Sequence, residues 1–104
     1  MIFIETPVFT RGLVDLLSDE EYTEFQKHLA YHPLAGDVIQ NTGGLRKIRW
    51  SARGSGKRGG VRVIYYYVSQ DDQIRLLLIY KKGIQDDLTE QQKKILRQLN
   101  ERWS

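Results

Sequence analysis

The sequence predicts a single α+β domain: an antiparallel-dominated small sheet with two N-terminal helices on one face and a C-terminal helix, in the order β-α-α-β-β-β-α. Three observations carry this expectation. Short β-prone runs stand at Met1 to Glu5, Leu45 to Trp50, Val61 to Val68 and Ile74 to Tyr80, each of strand length and bounded by turn-forming residues. Capping signals at Thr6-Pro7, Ser18-Asp19-Glu20-Glu21 and Thr89-Glu90-Gln91-Gln92 each precede apolar residues at helical spacing. The length of 104 residues suits one domain over 1–104 that buries a core without metal or disulfide help.

In chain order, Met1 to Glu5 reads as one strand. Thr6 caps a helix whose first position is Pro7, where a missing N–H is harmless; Phe9, Leu13 and Leu16 share a face, and the helix ends near Leu17. Ser18 and Glu21 form a capping box, with Leu17 placed to staple onto Tyr22. The acids there suit the positive end of a helix. Tyr22, Phe25 and Leu29 continue the apolar stripe until Pro33 stops it. Leu34 to Gly44 reads as a connecting loop. In the next strand the two-residue period turns Ile48 and Trp50 toward the helices, leaving Lys47 and Arg49 on the other face, about 7 Å apart. Val61 to Val68 is apolar on both faces, as a central strand requires, and Ile74 to Tyr80 returns beside it across a turn at Gln70-Asp71-Asp72. Ile95, Leu99 and Trp103 are the expected apolar stripe of the last helix.

Charge is distributed unevenly. The formal net charge is +3, but residues 1–37 carry two basic and seven acidic side chains, and residues 38–70 carry seven basic and none acidic. The seven are Arg46, Lys47, Arg49, Arg53, Lys57, Arg58 and Arg62, on two strands and a loop rich in glycine (Gly54, Gly56, Gly59, Gly60). Like charges so crowded repel unless an anion is present, which points to nucleic acid. The absence of cysteine excludes disulfide and thiolate chemistry. No apolar run approaches the roughly 18 residues of a membrane span, and MIFIETPVF lacks the basic and apolar regions of a secretory leader. A cytoplasmic protein with no membrane partner is expected.

Other chemistries find little support. His28 and His32 stand four apart on a helix, without a third ligand or an H-E-x-x-H pattern. Asp71-Asp72 reads as a turn and Asp86-Asp87 precedes a helix, so neither pair is placed to converge on magnesium. The glycine-rich loop leads into a strand and contains no GK[ST], unlike a phosphate-cradling loop. No metal and no cofactor are expected. Cations alone can promote RNA cleavage, because the 2′-hydroxyl is a nucleophile beside the scissile phosphate; the protein need only align it and stabilise the charge on the phosphorane. Tyr66, on the face of Arg62, is the tyrosine placed to stack on a base.

The segments SDEEY, GDVIQNTGGLRKIRW and GKRGGVRVIYY, with Ile79-Tyr80, Lys82 and Asp87-Leu88-Thr89 after them, resemble the RelE superfamily of toxins from bacterial type II toxin–antitoxin modules, most closely its HigB branch. The resemblance covers nearly the whole chain and implies a RelE-like fold. It also implies a metal-independent endoribonuclease, an mRNA interferase that enters the ribosomal A site, cuts the mRNA there and inhibits translation. The implied partners are the bacterial ribosome, mRNA and a cognate antitoxin, typically a helix-turn-helix protein, with operator DNA reached only through the antitoxin complex. By this resemblance Lys47, Arg49, Arg62 and Lys82 occupy catalytic positions, with Tyr80 a further candidate, and Arg62 is the residue facing the phosphorane. Arg46, Arg53, Lys57, Arg58 and Tyr66 are the expected RNA contacts. Some relatives have a late histidine or aromatic residue for proton transfer. This chain offers only Trp103 after Tyr80, so Lys47 and Lys82 are the candidate base and acid. Two other functions share this pattern: a same-fold toxin that inhibits DNA gyrase without cutting RNA, and a non-catalytic RNA-binding module.

Overall fold

The computed structural model describes residues 1–51, 60–84 and 87–103. Its elements are β1 (Ile2–Glu5), α1 (Pro7–Leu16), α2 (Asp19–Tyr31), β2 (Asp37–Val38), β3 (Arg46–Trp50), β4 (Val61–Val68), β5 (Gln73–Lys81) and α3 (Glu90–Glu101), with a 3-10 turn at Ser69–Asp71. The helices start where the caps place them. Thr6 accepts from the Phe9 N–H at 3.0 Å, and Ser18 and Thr89 each form the reciprocal capping box. Together they satisfy N–H groups that the first helical turns leave without partners.

The five strands form one mixed sheet in the order β1-β5-β4-β3-β2, with β1 parallel to β5 and the other pairs antiparallel. The doubly apolar β4 takes the centre, as its pattern requires. β2 corrects the expectation of a loop from Leu34 to Gly44. It has only two residues and pairs Asp37 with Lys47 and Val38 with Arg46. So short a strand has no periodicity to detect, and its pairing is fixed by the neighbouring edge. Thr42 then holds the turn into β3, donating to the Ile39 carbonyl at 2.6 Å and accepting from the Leu45 N–H.

The sheet separates two cores. On one face Phe9, Phe25 and Leu29 of the first two helices pack against Ile48, Val63, Tyr65, Leu76 and Ile79. On the other, α3 and the segment before it bring Leu88 and Leu96 onto Leu45, Ile64 and Leu77. A β-bulge lets β5 serve both: Ile64 pairs with Leu78 and Tyr65 with Leu76, so Leu77 is the extra residue. Thr6 ties this bulge to the start of α1, donating to the Leu77 carbonyl at 2.8 Å. Tyr65 crosses the first core to reach the α2–β2 connection, donating to the Pro33 carbonyl and accepting from the Gly36 N–H, both at 2.9 Å. A Cβ on Gly36 would lie 2.8 Å from the Tyr65 ring, so only glycine fits there without movement.

The face of α3 is a second correction. Leu96 and Asn100 are buried, whereas Ile95 and Leu99, two members of the expected stripe, are 51% and 43% exposed. The helix is rotated by one residue because Arg75 of β5 anchors Asn100, donating to its carbonyl at 3.2 Å and to its Oδ1 at 3.0 Å. Arg75 also lies over the Tyr66 and Trp103 rings. This polar anchor outweighs the apolar periodicity.

Two measurements check this packing. Leu96→Ala should lower stability in urea by about 2–4 kcal/mol, and Leu99→Ala by less than about 1 kcal/mol; the reverse order would contradict the observed face. Tyr22 donates to Glu5 at 2.6 Å, and burial first, then this carboxylate, raise its hydroxyl well above the ordinary tyrosine value. Burial also raises that of Tyr65. The unfolded chain ionises both near pH 10 while the folded chain does not, so stability is lost as pH rises beyond about 10. Tyr22→Phe should flatten this alkaline loss in urea titrations between about pH 8 and pH 11, and an unchanged slope would refute it.

Candidate RNA-cleaving site

Register assembles the site. Arg49 of β3 pairs with Arg62 of β4, and Arg62 pairs with Tyr80 of β5. Cross-strand partners point to the same side of a sheet, so the three form one row on the α3 face, with neighbouring Cβ atoms about 5 Å apart. Lys47 lies two residues along β3 on the same face, opposite Ile64. Directly opposed like charges are destabilising, yet the core on the far side fixes this register through Ile48 opposite Val63 and Trp50 opposite Val61. The sheet therefore holds two guanidinium groups near one another against their repulsion.

Arg62 is the most unusual member. It is only 9% exposed, and its guanidinium makes a long contact of 3.5 Å to the Val61 carbonyl. No carboxylate forms an ion pair with it among the described residues. A buried cation without an internal anion is costly, and a phosphate would supply the missing charge and a bidentate acceptor.

Lys47 does have an internal anion. Its ammonium donates to Asp87 at 2.9 Å. The hydrogen bond from Lys47 and then its charge hold the Asp87 carboxyl below the ordinary carboxylate range, with Lys93 and Arg49 adding smaller effects of the same sign. Asp37 of β2 stands opposite Lys47 in the ladder. A groove runs over the β3 edge here, lined by Lys47, Arg49, Asp37, Asp87, Trp50 and His28 among others. His28 packs on Trp50, with ring centroids 5.3 Å apart. Among the described residues, no three His, Cys, Asp or Glu side chains are grouped to hold a metal ion.

Of the residues singled out from sequence, Lys47, Arg49, Arg62 and Tyr80 come together. Lys82 is exposed one residue beyond β5, where its N–H still reaches the Gly60 carbonyl at 3.2 Å. Two expected RNA contacts are placed elsewhere. Arg46 shares the face of Ile48, and its guanidinium donates to the carbonyls of Gly36 at 2.7 Å and Leu34 at 3.3 Å, holding the α2–β2 connection. Tyr66 is on the face of Arg62 as expected, but it packs against the α3 core with the Arg75 guanidinium 5.8 Å from its ring centroid. Arg53, Lys57 and Arg58 lie outside the described residues.

Sequence reasoning missed Asp87 and Lys93. By sequence Asp87 reads only as one of a pair preceding a helix; its signal is the adjacent Leu88, whose burial against Leu45 and Ile64 sets the carboxylate over Lys47. Lys93 stands three residues before Leu96, on the sheet-facing side of α3, and its side chain is only 19% exposed.

Among solved structures, the chain is similar to one described as the crystal structure of the intact E. coli RelBE toxin–antitoxin complex, with a TM-score of 0.56 and 14% sequence identity over 75% of this chain and 92% of that one. At this identity the likeness is one of fold, and the three helices on a five-stranded mixed sheet agree with it. No protein-family profile matches the sequence.

The geometry predicts a titration. In a carboxyl-detected NMR titration, Asp87 should lose its proton below the ordinary aspartate range, and Lys47→Gln should raise that midpoint. A midpoint indifferent to Lys47→Gln would show that the ion pair does not form in solution.

Proposed function

We propose that this chain is the toxin of a bacterial type II toxin–antitoxin module, of the HigB branch of the RelE superfamily, and that it is an endoribonuclease cutting mRNA in the ribosomal A site. The observation that carries this reading is the row Arg49–Arg62–Tyr80, in which a buried arginine that forms no ion pair among the described residues stands between a second arginine and a tyrosine. Further support comes from the fold-level likeness to a toxin–antitoxin complex and from the sequence resemblance. Among the described residues no helix is long and apolar enough to cross a membrane.

In the proposed reaction the RNA 2′-oxygen bonds to the adjacent phosphorus and the bond from phosphorus to the 5′-oxygen breaks. The 2′-oxygen gives up a proton and the departing 5′-oxygen gains one, leaving a 2′,3′-cyclic phosphate and a 5′-hydroxyl. Arg62 and Arg49 neutralise the charge that grows on the phosphorane oxygens, a preorganised arrangement requiring little reorientation during the reaction. Lys47 and Lys82 remain the candidates for proton transfer, with Tyr80 beside the phosphate. The ribosome supplies the alignment of the mRNA, which accounts for a site built of cations on a flat sheet face. Lys57 and Arg58 then bind RNA backbone, and an antitoxin blocks the chain by covering this face or shifting α3.

Mapping mRNA 5′ ends in a translating extract tests the proposal. The wild-type chain should cut at A-site codons, and Arg62→Ala should reduce cutting by about 10²–10³-fold while unfolding in urea as a folded domain. Charge reversal of Lys57 and Arg58 should weaken ribosome association and make what remains less steeply dependent on salt. Intact mRNA in cells arrested by the protein would refute the nuclease and direct attention to gyrase.

A further inference from the structure

The Asp87 carboxylate has the position expected of an anion bound to this face. It meets Lys47 at 2.9 Å, and Arg49 and Lys93 both act on its charge. Lys47 pairs with it from the sheet, Arg49 lines the same groove, and the charge of Lys93 on the helix also lowers its carboxyl, so cations from two layers of the fold act on one acidic group. The placement of Lys93 follows from packing. Leu96 and Leu88 are buried against Leu45 and Ile64, which aligns the first turns of α3 with the end of β3 carrying Lys47. Helical side chains lean toward the N-terminus of their helix, and this tilt directs Lys93 back toward the segment containing Asp87. Its stem is covered, and its ammonium lies 3.3 Å from Glu90, which is 81% exposed.

We infer that Lys93 is a further RNA-phosphate-contacting residue, and that the Asp87 carboxylate occupies the phosphate position it shares with Lys47 and Arg49 until RNA displaces it. This inference rests on the RNA-cleaving reading above and extends its site from the sheet to α3. A carboxylate and a phosphodiester each present two charged oxygens to the same donors, so they compete for Lys47. The Asp87 side chain is 82% exposed, and such an ion pair contributes little to stability. It relieves the repulsion among cations in the free protein yet yields to a strand of RNA that brings several phosphates. Asp37 opposite Lys47 and Glu90 beside Lys93 complete the acidic groups facing this cluster among the described residues.

The test uses the full chain and a short RNA with 2′-O-methyl nucleotides throughout, which cannot be cut, with binding followed by fluorescence anisotropy at several salt concentrations. Lys93→Gln should weaken binding about threefold to tenfold and reduce the salt slope by about 0.7, the value for one phosphate of a single strand. Lys93→Arg should restore both, whereas a stem needed only for packing would be served equally by Gln and Arg. Asp87→Asn should tighten binding by about threefold or more, as expected when a competing charge is removed. Unchanged affinity and slope in Lys93→Gln would overturn the role of Lys93, and equal or weaker binding in Asp87→Asn would overturn the competition. The assay contains neither ribosome nor scissile bond, so these results stand apart from cleavage. If the binding changes appear but the wild-type chain leaves ribosome-bound mRNA intact, the nuclease reading fails and the phosphate site remains.

Discussion

The antiparallel register of β3 on β4 places Arg49 directly opposite Arg62, and the electrostatics of the site follow from that pairing. Left to themselves, two adjacent guanidinium groups would be relieved by a one-residue slip. A slip, however, turns every side chain of β3 to the opposite face. Ile48 and Trp50 would leave the core formed with Phe25 and Val63, and Lys47 would enter it. Burial of Ile48 alone contributes roughly 1.5–3 kcal/mol, and the slip would also carry the Lys47 ammonium into that core, where an unpaired charge costs more than two opposed guanidinium groups. The apolar face therefore determines where the charged face stands.

The same logic explains why the arginines serve different purposes. Arg46 and Arg49 are separated by three residues, an odd number, and so lie on opposite faces. Arg46 donates to two carbonyls of the α2–β2 connection, a region also held by the Tyr65 hydroxyl. Arg75 is bound between two rings and Asn100, and it sets the rotation of α3. Arg62 has neither arrangement. Arg46 and Arg75 are thus held by structural partners that support the frame, whereas Arg49 and Arg62 stand side by side on the α3 face.

The strands and helix starts were legible because local chemistry specifies them: side-chain caps at Thr6, Ser18 and Thr89, and alternation in β3 and β4. The alternation also contained the fate of Arg46, which shares parity with Ile48; reading the basic cluster by density rather than parity concealed it. Other features depend on contacts distant in sequence. Tyr66 has the expected parity, but whether it is open to a base is decided by Arg75 and Trp103. β2 exists because of the edge it completes, and the face of α3 is chosen by Asn100 against the stripe of Ile95 and Leu99. Such choices have no signature in local periodicity.

Rigid placement also accounts for the proposed chemistry requiring few groups. Strands fix the spacing of their side chains more closely than a loop does, so cations on β3 and β4 meet developing charge without first being ordered. The cost is borne by the resting protein as repulsion and as the burial of Arg62. An exposed carboxylate on the approach to α3 offsets the part of that cost nearest Lys47 without deepening the resting state, because an ion pair in water is weak. Were Asp87 buried with Lys47, breaking the pair would cost several kcal/mol, and the incoming phosphate would lose that much of its binding. Exposure on one side and burial at Arg62 on the other thus divide the face into a part that exchanges anions readily and a part that binds charge strongly. On the proposed reading, the first admits the RNA backbone and the second stabilises the phosphorane.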